Sequence, residues 1–285
     1  MDQILNEVKY INRILNERYV DPKTYNSLRI LAKYYAIKGL KKKEIHNEVF
    51  KYACKHYLKT QEKGGVNKKY EMDELEKVVT KYVNSLTSQK KKLEKGGKVF
   101  KLYGIESISI TKNELYKISM LSNHELERLA YVMLVLSKIA KAKSDYLDGV
   151  YSIYCNSDVF KESFLSYSYK NKCLINEMKQ TGHVQPNEEY GNSRLVKLLY
   201  ADNDNDSEIA ITIIDFRNFA YTYDQYRGSK MIKNCSGCNV LFEKRSSTHK
   251  YCDACKRENE LQKTRKRVMR YKNKKVTVRE SEENP

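Results

Sequence analysis

A chain of 285 residues is long enough for two or three compact units, and its 40% hydrophobic and 32% charged residues argue against a disordered or membrane-embedded protein. Its net charge of +18 favours a polyanionic partner such as nucleic acid. No apolar run approaches the roughly 20 residues that cross a bilayer. Because the acidic, amphipathic start also does not resemble a signal peptide, we expect a cytoplasmic protein without a membrane partner.

The first 92 residues predict a helical region. Apolar residues recur at helical spacing in four segments, around residues 4–15, 22–39, 43–58 and 72–86. Asp21-Pro22 is a start signal for the second helix, and Gly39 is its predicted end. The run from Lys90 to Lys92, followed by Gly96-Gly97, predicts an exposed linker and a domain boundary. We expect residues 1–92 to serve in assembly or in contacts with a protein partner.

The next segment, residues 99–227, predicts a mixture of helices and strands. Thr111 with Glu114, and Ser122 with Glu125, match the capping-box spacing, and the second box precedes a strongly apolar helix. The elements predicted after it are a strand over 149–154, a helix from about 157, a helix over 168–179, and strands over 194–200 and 208–214. Turn formers separate the last two strands, which predicts that they form a β-hairpin around Asp202 to Asp206.

This order of elements resembles a winged helix-turn-helix domain, across roughly residues 111–215. The resemblance implies that the helix over 168–179 is a recognition helix, which lies in the major groove of DNA. Its first turn then presents side chains that hydrogen-bond to bases or phosphates, namely Tyr169, Lys170, Asn171 and Lys172. The hairpin takes the position of the wing, although its acidic tip departs from the usual phosphate-contacting wing. Winged helices also serve as protein–protein modules.

Two Cys-x-x-Cys pairs, Cys235 with Cys238 and Cys252 with Cys255, are separated by 13 residues. Four thiolates at this spacing complete a tetrahedron around one cation, which predicts a structural zinc ion rather than unrelated buried cysteines or redox pairs. His249 is a competing ligand by position, but we expect it to be a surface or hydrogen-bonding residue. The three other cysteines are isolated, which indicates a reducing compartment rather than a disulfide framework.

The surroundings of these pairs resemble zinc-ribbon and treble-clef knuckles, in which an aromatic residue and a basic loop lie between the pairs and a basic helix follows. Here Phe242 and Tyr251 are expected to supply the few apolar contacts. Such knuckles are frequent at the ends of DNA-binding and mobile-element proteins. HNH nucleases also carry paired cysteines, but thirteen residues with a single histidine are too few for their catalytic hairpin.

The densest basic run follows the second pair at once. Between residues 256 and 275 only two carboxylates, Glu258 and Glu260, oppose ten cations: Lys256, Arg257, Lys263, Arg265, Lys266, Arg267, Arg270, Lys272, Lys274 and Lys275. We expect a helix to about Tyr271, with Leu261, Val268 and Tyr271 packed on the knuckle and the cations facing a phosphate backbone. The alternative is a solvated polar helix. The tail, residues 276–285, is predicted to be disordered.

Together these features predict a mainly α fold with four parts: helical residues 1–92, a winged-helix-like domain over 99–227, a knuckle with a basic helix over 228–275, and the tail. The predicted function is that of a non-enzymatic DNA-binding protein, either a regulator or a replication-type factor of phage or mobile-element style. Two alternatives remain open, an RNA-binding protein and an adaptor or inhibitor of host transcription or replication proteins. The sequence offers no catalytic set that we would defend.

Overall fold

The structure, a computed structural model, describes residues 5–16, 24–57, 68–97, 99–143, 151–187, 195–202 and 207–282. Ten helices and seven short strands make up this part of the chain, so the predicted mainly helical fold is confirmed at that level. Backbone contacts divide the chain into two compact units. We call residues 2–106 with 141–146 the N-terminal unit, and residues 107–140 with 147–285 the C-terminal unit. No helix in the described ranges is both long and apolar enough to cross a membrane.

The N-terminal unit contains four helices: α1 (Glu7–Asn16), α2 (Thr24–Ile37), α3 (Lys42–Tyr57) and α4 (Lys68–Lys95). Their apolar stripes form one core, which includes Ile11, Leu28, Leu31, Ile45, Val49, Val79 and Val83. Gly39 follows α2 with a φ of +86°, a left-handed conformation that glycine adopts without a steric penalty, so the predicted helix end is confirmed. The predicted start signal Asp21-Pro22 lies outside the described residues.

The linker predicted from Lys90 to Lys92 is wrong, because α4 continues through these lysines to Lys95. The Lys90 ammonium donates to the carbonyl oxygen of Ala36 at the end of α2, 2.7 Å away. The division between units falls at residue 106 instead. There the backbone N–H of Glu7 donates to the carbonyl oxygen of Tyr103, and that of Ile105 donates to Leu5, so this strand-like segment remains with α1.

The C-terminal unit begins with β1 (Ile108–Thr111), α5 (Lys112–Ser119) and α6 (His124–Lys143), whose last residues belong to the N-terminal unit. The capping box of Thr111 and Glu114 is confirmed, since each side chain accepts the other residue's backbone N–H. The box predicted at Ser122 is wrong. Asn123 caps α6 instead, because its side-chain oxygen accepts the N–H groups of Glu125 and Leu126.

Five elements follow: β2 (Ser152–Tyr154), α7 (Ser157–Glu162), α8 (Tyr169–Gln180), β3 (Val184–Pro186) and β4 (Leu195–Leu198). The three strands form an antiparallel sheet with the order β2-β4-β3. Helices α7 and α8 begin close to the residues predicted from the sequence, about 157 and 168. The side chain of Asn156 caps α7, and that of Ser168 caps α8.

The hairpin predicted around residues 202–206 is wrong. The strand after it, β5 (Ile209–Ile213), pairs with β1 and not with β4. Asp202 explains the separation, because its carboxylate accepts hydrogen bonds from Thr111, Asn113 and Lys117 and so draws the chain away from β4 towards α5. The predicted turn residues 203–206 lie outside the described residues.

The chain ends with α9 (Ala220–Tyr226), the hairpin of β6 (Ile232–Asn234) and β7 (Leu241–Glu243), and the long helix α10 (Asp253–Glu282). The disordered tail predicted from residue 276 is wrong as far as Glu282, because no glycine or proline interrupts α10; residues 283–285 are not described. The predicted packing of three α10 side chains on the knuckle is also wrong, since 46% to 69% of their surface is exposed: Leu261, Val268 and Tyr271.

Candidate metal centre and basic helices

The four predicted zinc ligands form one cluster in the C-terminal unit. Cys235 and Cys238 lie in the turn between β6 and β7, Cys252 lies just before α10, and Cys255 lies in its first turn. All four Sγ atoms lie within 4.8 Å of one another, and those of Cys238 and Cys252 are 3.7 Å apart. Four ligands at about 2.3 Å from one ion are separated by about 3.8 Å, so the cluster is compatible with a tetrahedral metal ion.

The turn that contains the first two cysteines depends on Gly237, which has no side chain, and on Asn239, which adopts a left-handed backbone conformation. A Cβ atom at Gly237 would lie 3.0 Å from the Cys255 Sγ atom, so the close approach of the two segments requires glycine. Asn239 adopts a φ of +58°, and its N–H donates to the carbonyl oxygen of Cys235, 2.9 Å away. The N–H of Cys235 donates to the carbonyl oxygen of Val240, the residue after Asn239.

Backbone N–H groups stabilise the thiolate form of Cys235. The N–H groups of Cys252 and Gly237 point at the Cys235 Sγ atom, at 3.2 and 3.4 Å. Burial raises the pKa of Cys235, but these donors outweigh burial and lower it. A hydrogen bond with the Cys238 sulfur and then burial raise the pKa of Cys255, and charge repulsion from Cys252 adds to these effects. A divalent cation bound by all four sulfur atoms removes that repulsion.

His249 lies outside the cysteine cluster. Its Nδ1 atom accepts the backbone N–H of Arg245, and its ring packs edge-to-face on Phe242 with centroids 5.1 Å apart. Phe242 is buried, together with Val240 and two of the cysteines, and forms the small core of the knuckle. Tyr251 is more exposed and covers Gly237. The histidine is therefore a hydrogen-bonding residue of the loop, as expected.

Two residues before the knuckle attach it to the rest of the C-terminal unit, and no local pattern in the sequence indicates either of them. The Arg217 guanidinium forms a two-pronged ion pair with Asp215 and donates from Nη2 to the carbonyl oxygen of Cys238 at 3.2 Å. The side-chain amide of Asn218, a residue at φ +52°, donates to the carbonyl oxygen of Leu241. Arg217 also brings positive charge close to the sulfur atoms of Cys238 and Cys252.

The basic helix α10 leaves the metal centre from Cys255 and carries the predicted phosphate-binding cations. The cationic side chains described on it are all exposed: Lys256, Arg257, Lys263, Arg265, Lys266, Arg267 and Arg270. None of these seven forms an ion pair or a side-chain hydrogen bond with a described residue. Lys272 also lies in α10, but its side chain is not described. Helix α10 therefore presents an excess of positive charge to solvent.

The four base-reading candidates occupy the first turn of α8, yet their surroundings differ. Tyr169 is 84% exposed, and Lys170 is exposed beside it. The amide of Asn171 instead donates to the carbonyl and hydroxyl oxygens of Ser166, and so holds the turn before α8. The ammonium of Lys172 lies 4.1 Å from the ring centroid of Tyr167. Their contact with nucleic acid stays a prediction. Tyr169 and Lys170 are the two whose side chains form no hydrogen bond or cation–π contact with a described residue.

The known proteins give no independent indication of function. When this chain is compared with protein-family models, with curated proteins and with solved structures, nothing matches it.

Proposed function

We propose that this chain is a non-enzymatic DNA-binding protein in which a structural zinc ion fixes the start of a basic helix that binds the phosphate backbone. The observation that carries the proposal is the state of α10. Its seven cations whose side chains are described are exposed and lack carboxylate partners among the described residues, although carboxylates are plentiful elsewhere in the chain. A helix that served only as a solvated surface has no need of this excess.

The dimensions of α10 suit duplex DNA. Its thirty residues extend about 45 Å, which is longer than one helical turn of DNA, about 34 Å. Cations distributed along that length meet several phosphates. Each phosphate that they neutralise releases condensed counterions and so adds affinity that does not depend on sequence. We therefore expect binding to any duplex, with a steep dependence on salt.

Zinc suits the cysteine cluster best among metals. Four thiolates in a closed tetrahedron are typical of structural zinc, which leaves no open coordination position for catalysis. The ion would hold the β6–β7 turn and the first turn of α10 together through Cys238 and Cys252. The knuckle has only a small apolar core around Phe242, so metal binding would supply most of its folding energy. Four thiolates that bind one divalent cation keep a net negative charge, and Arg217 would offset part of it.

Base reading by α8 is the second part of the proposal. The chain order α6, β2, α7, α8, β3, β4, with the sheet order β2-β4-β3, supports a winged helix-turn-helix arrangement of the C-terminal unit. On this reading the wing is the β3–β4 connection, of which residues 188–194 lie outside the described part, and not residues 202–206. Tyr169 and Lys170 would then reach base edges from the first turn of α8.

Binding to three probes of equal length tests the proposal. The full-length, zinc-loaded protein is titrated by fluorescence anisotropy into duplex DNA, single-stranded DNA and duplex RNA, at several salt concentrations. We expect the tightest binding to duplex DNA. A preference for RNA would favour the RNA-binding alternative. No binding to any probe would refute nucleic-acid recognition and leave the adaptor or inhibitor alternative, which a stoichiometric host protein captured after nuclease treatment would support.

A further inference from the structure

The N-terminal unit contains a cavity of about 470 Å³ that the predicted DNA-binding function does not use. Helices α1, α2 and α4 contribute to its wall, together with the segment around Phe100 and Tyr103 and with Lys143 at the end of α6. All of these residues belong to the N-terminal unit. The volume lies within the usual range for sites that bind small molecules, roughly 300–1,000 Å³.

Positive charge dominates the lining of this cavity. Arg29, Lys33, Lys92 and Lys143 line it, and Glu7 is the one carboxylate among the described lining residues. Glu7 forms an ion pair with Lys33, whose ammonium lies 2.5 Å from the Glu7 Oε2 atom. The same oxygen accepts the backbone N–H of Tyr103. Of the other cations, Arg29 and Lys92 form no ion pair with a described residue. A cavity with this charge and low-dielectric walls attracts an anion.

The cations lie close enough to affect one another. Burial lowers the pKa of Lys143, Glu7 opposes this effect, and Arg29 and Lys33 lower the pKa further by charge repulsion. Arg29 is half-buried and forms no hydrogen bond or ion pair with a described residue. Its guanidinium has the fork geometry that suits phosphate oxygens. An anion bound between these side chains would relieve their repulsion.

The other side of the cavity is apolar and aromatic. Phe100 and Tyr103 line it, and the buried Lys33 ammonium lies 4.0 Å from the Tyr103 ring centroid and 5.8 Å from that of Phe100. Leu86 and Leu93 of α4 complete this wall. A ligand that fills the cavity must therefore combine anionic groups with a planar or apolar part. Inorganic phosphate alone would leave the aromatic wall without a contact.

We propose that this cavity binds a nucleotide, with its phosphate groups among Arg29, Lys92 and Lys143 and its base against Phe100 and Tyr103. The site is independent of the proposed DNA-binding helices, so either proposal stands if the other fails. A nucleotide matches the cavity in size, in charge and in its planar ring. A free nucleotide, and not a nucleic-acid chain, is expected because the ligand must enter a site of limited volume.

Isothermal titration calorimetry on the full-length, zinc-loaded protein tests this site. The probes are the four common ribonucleoside triphosphates, their monophosphates, adenosine and inorganic phosphate. We expect at least one nucleotide to bind with a stoichiometry of one, and its nucleoside and inorganic phosphate to bind at least about tenfold more weakly. No saturable binding of any nucleotide, or equal binding of inorganic phosphate, would overturn the proposal.

Matched variants locate the binding. Arg29→Gln and Lys92→Gln should each raise the dissociation constant at least about tenfold. Lys91→Gln removes the same charge from an exposed neighbour that does not line the cavity, and should leave binding unchanged. Lys92 is itself exposed, so its replacement does not threaten folding, which circular dichroism checks. If Lys266→Gln with Arg267→Gln abolishes nucleotide binding while the cavity variants retain it, the nucleotide binds α10 and the cavity proposal is wrong.

Discussion

The Arg217 guanidinium donates a hydrogen bond from Nη2 to the carbonyl oxygen of Cys238, 3.2 Å away, while Asp215 holds the same guanidinium in place. Residues that support a metal ligand commonly change metal affinity 10- to 100-fold when they are lost. We therefore expect Arg217→Gln to raise the rate of zinc transfer to a chromophoric chelator about tenfold. Lys230→Gln, which removes an exposed cation that forms no hydrogen bond or ion pair with a described residue, is the control. Equal rates for both variants would contradict this role of Arg217.

Gly237 allows the two halves of the cysteine cluster to approach. Alanine there would place its Cβ atom 3.0 Å from the Cys255 Sγ atom and 3.3 Å from its Cβ atom. Relief of this overlap costs about 1–3 kcal/mol, so we expect Gly237→Ala to weaken zinc binding roughly 5- to 150-fold. Ser236→Ala changes the exposed neighbour and should have no effect. Competition with a chelator of known affinity measures both variants, and unchanged affinity for Gly237→Ala would contradict the observed packing.

The buried ion pair of Glu114 and Lys138 joins α5 to α6. Glu114 is fully buried, and its two oxygens accept hydrogen bonds from the N–H groups of Thr111 and Asp202 as well as from the Lys138 ammonium at 2.7 Å. Loss of the Glu114 side chain leaves the Lys138 ammonium without a carboxylate partner, with only the Ser109 carbonyl oxygen as an acceptor. We expect Glu114→Ala to lower the free energy of unfolding by about 3–5 kcal/mol, as measured by urea denaturation. The exposed Glu125→Ala should cost less than about 1 kcal/mol, and an equal effect of both changes would be inconsistent with this pair.

The accessible first turn of α8 should set any preference for sequence. We expect Tyr169→Ala and Lys170→Ala to reduce the preference among sites by about 1–3 kcal/mol when binding sites are selected from random duplexes. Lys161→Ala on α7 removes a comparable exposed cation and should preserve the selected sequence. If all three variants select the same sites as the unaltered protein, α8 does not read bases.

Local signals predicted much of this fold. The side chains that cap α5, α7 and α8, and the glycine after α2, lie where hydrogen-bonding rules and backbone sterics require them. The cysteine cluster could also be predicted from a local signal. The spacing of its two Cys-x-x-Cys pairs determines which sulfur atoms can approach one another. These features depend on a few neighbouring residues, and sequence reveals them directly.

The pairing of strands is not a local property. Val184–Pro186 is too short to show an alternating pattern, yet it takes the place beside β4 that residues 208–214 were expected to fill. The carboxylate of Asp202 looked like part of an acidic turn, but its partners Thr111 and Lys117 are about ninety residues away in the chain. Nothing in the sequence near residue 202 indicates those partners. The cavity of the N-terminal unit cannot be predicted from the sequence for the same reason, because its cations come from three helices.

The salt dependence of binding decides whether α10 binds the phosphates of duplex DNA. Each cation removed from a phosphate contact should reduce the slope of log affinity against log salt by about 0.9. We expect Lys266→Gln with Arg267→Gln to reduce it by about 1.8, and to weaken binding to all duplexes alike. Lys91→Gln with Lys95→Gln, an equal loss of charge from exposed sites in α4, should leave the slope unchanged. If both double variants change affinity and slope equally, or neither does, α10 is not the phosphate-binding element.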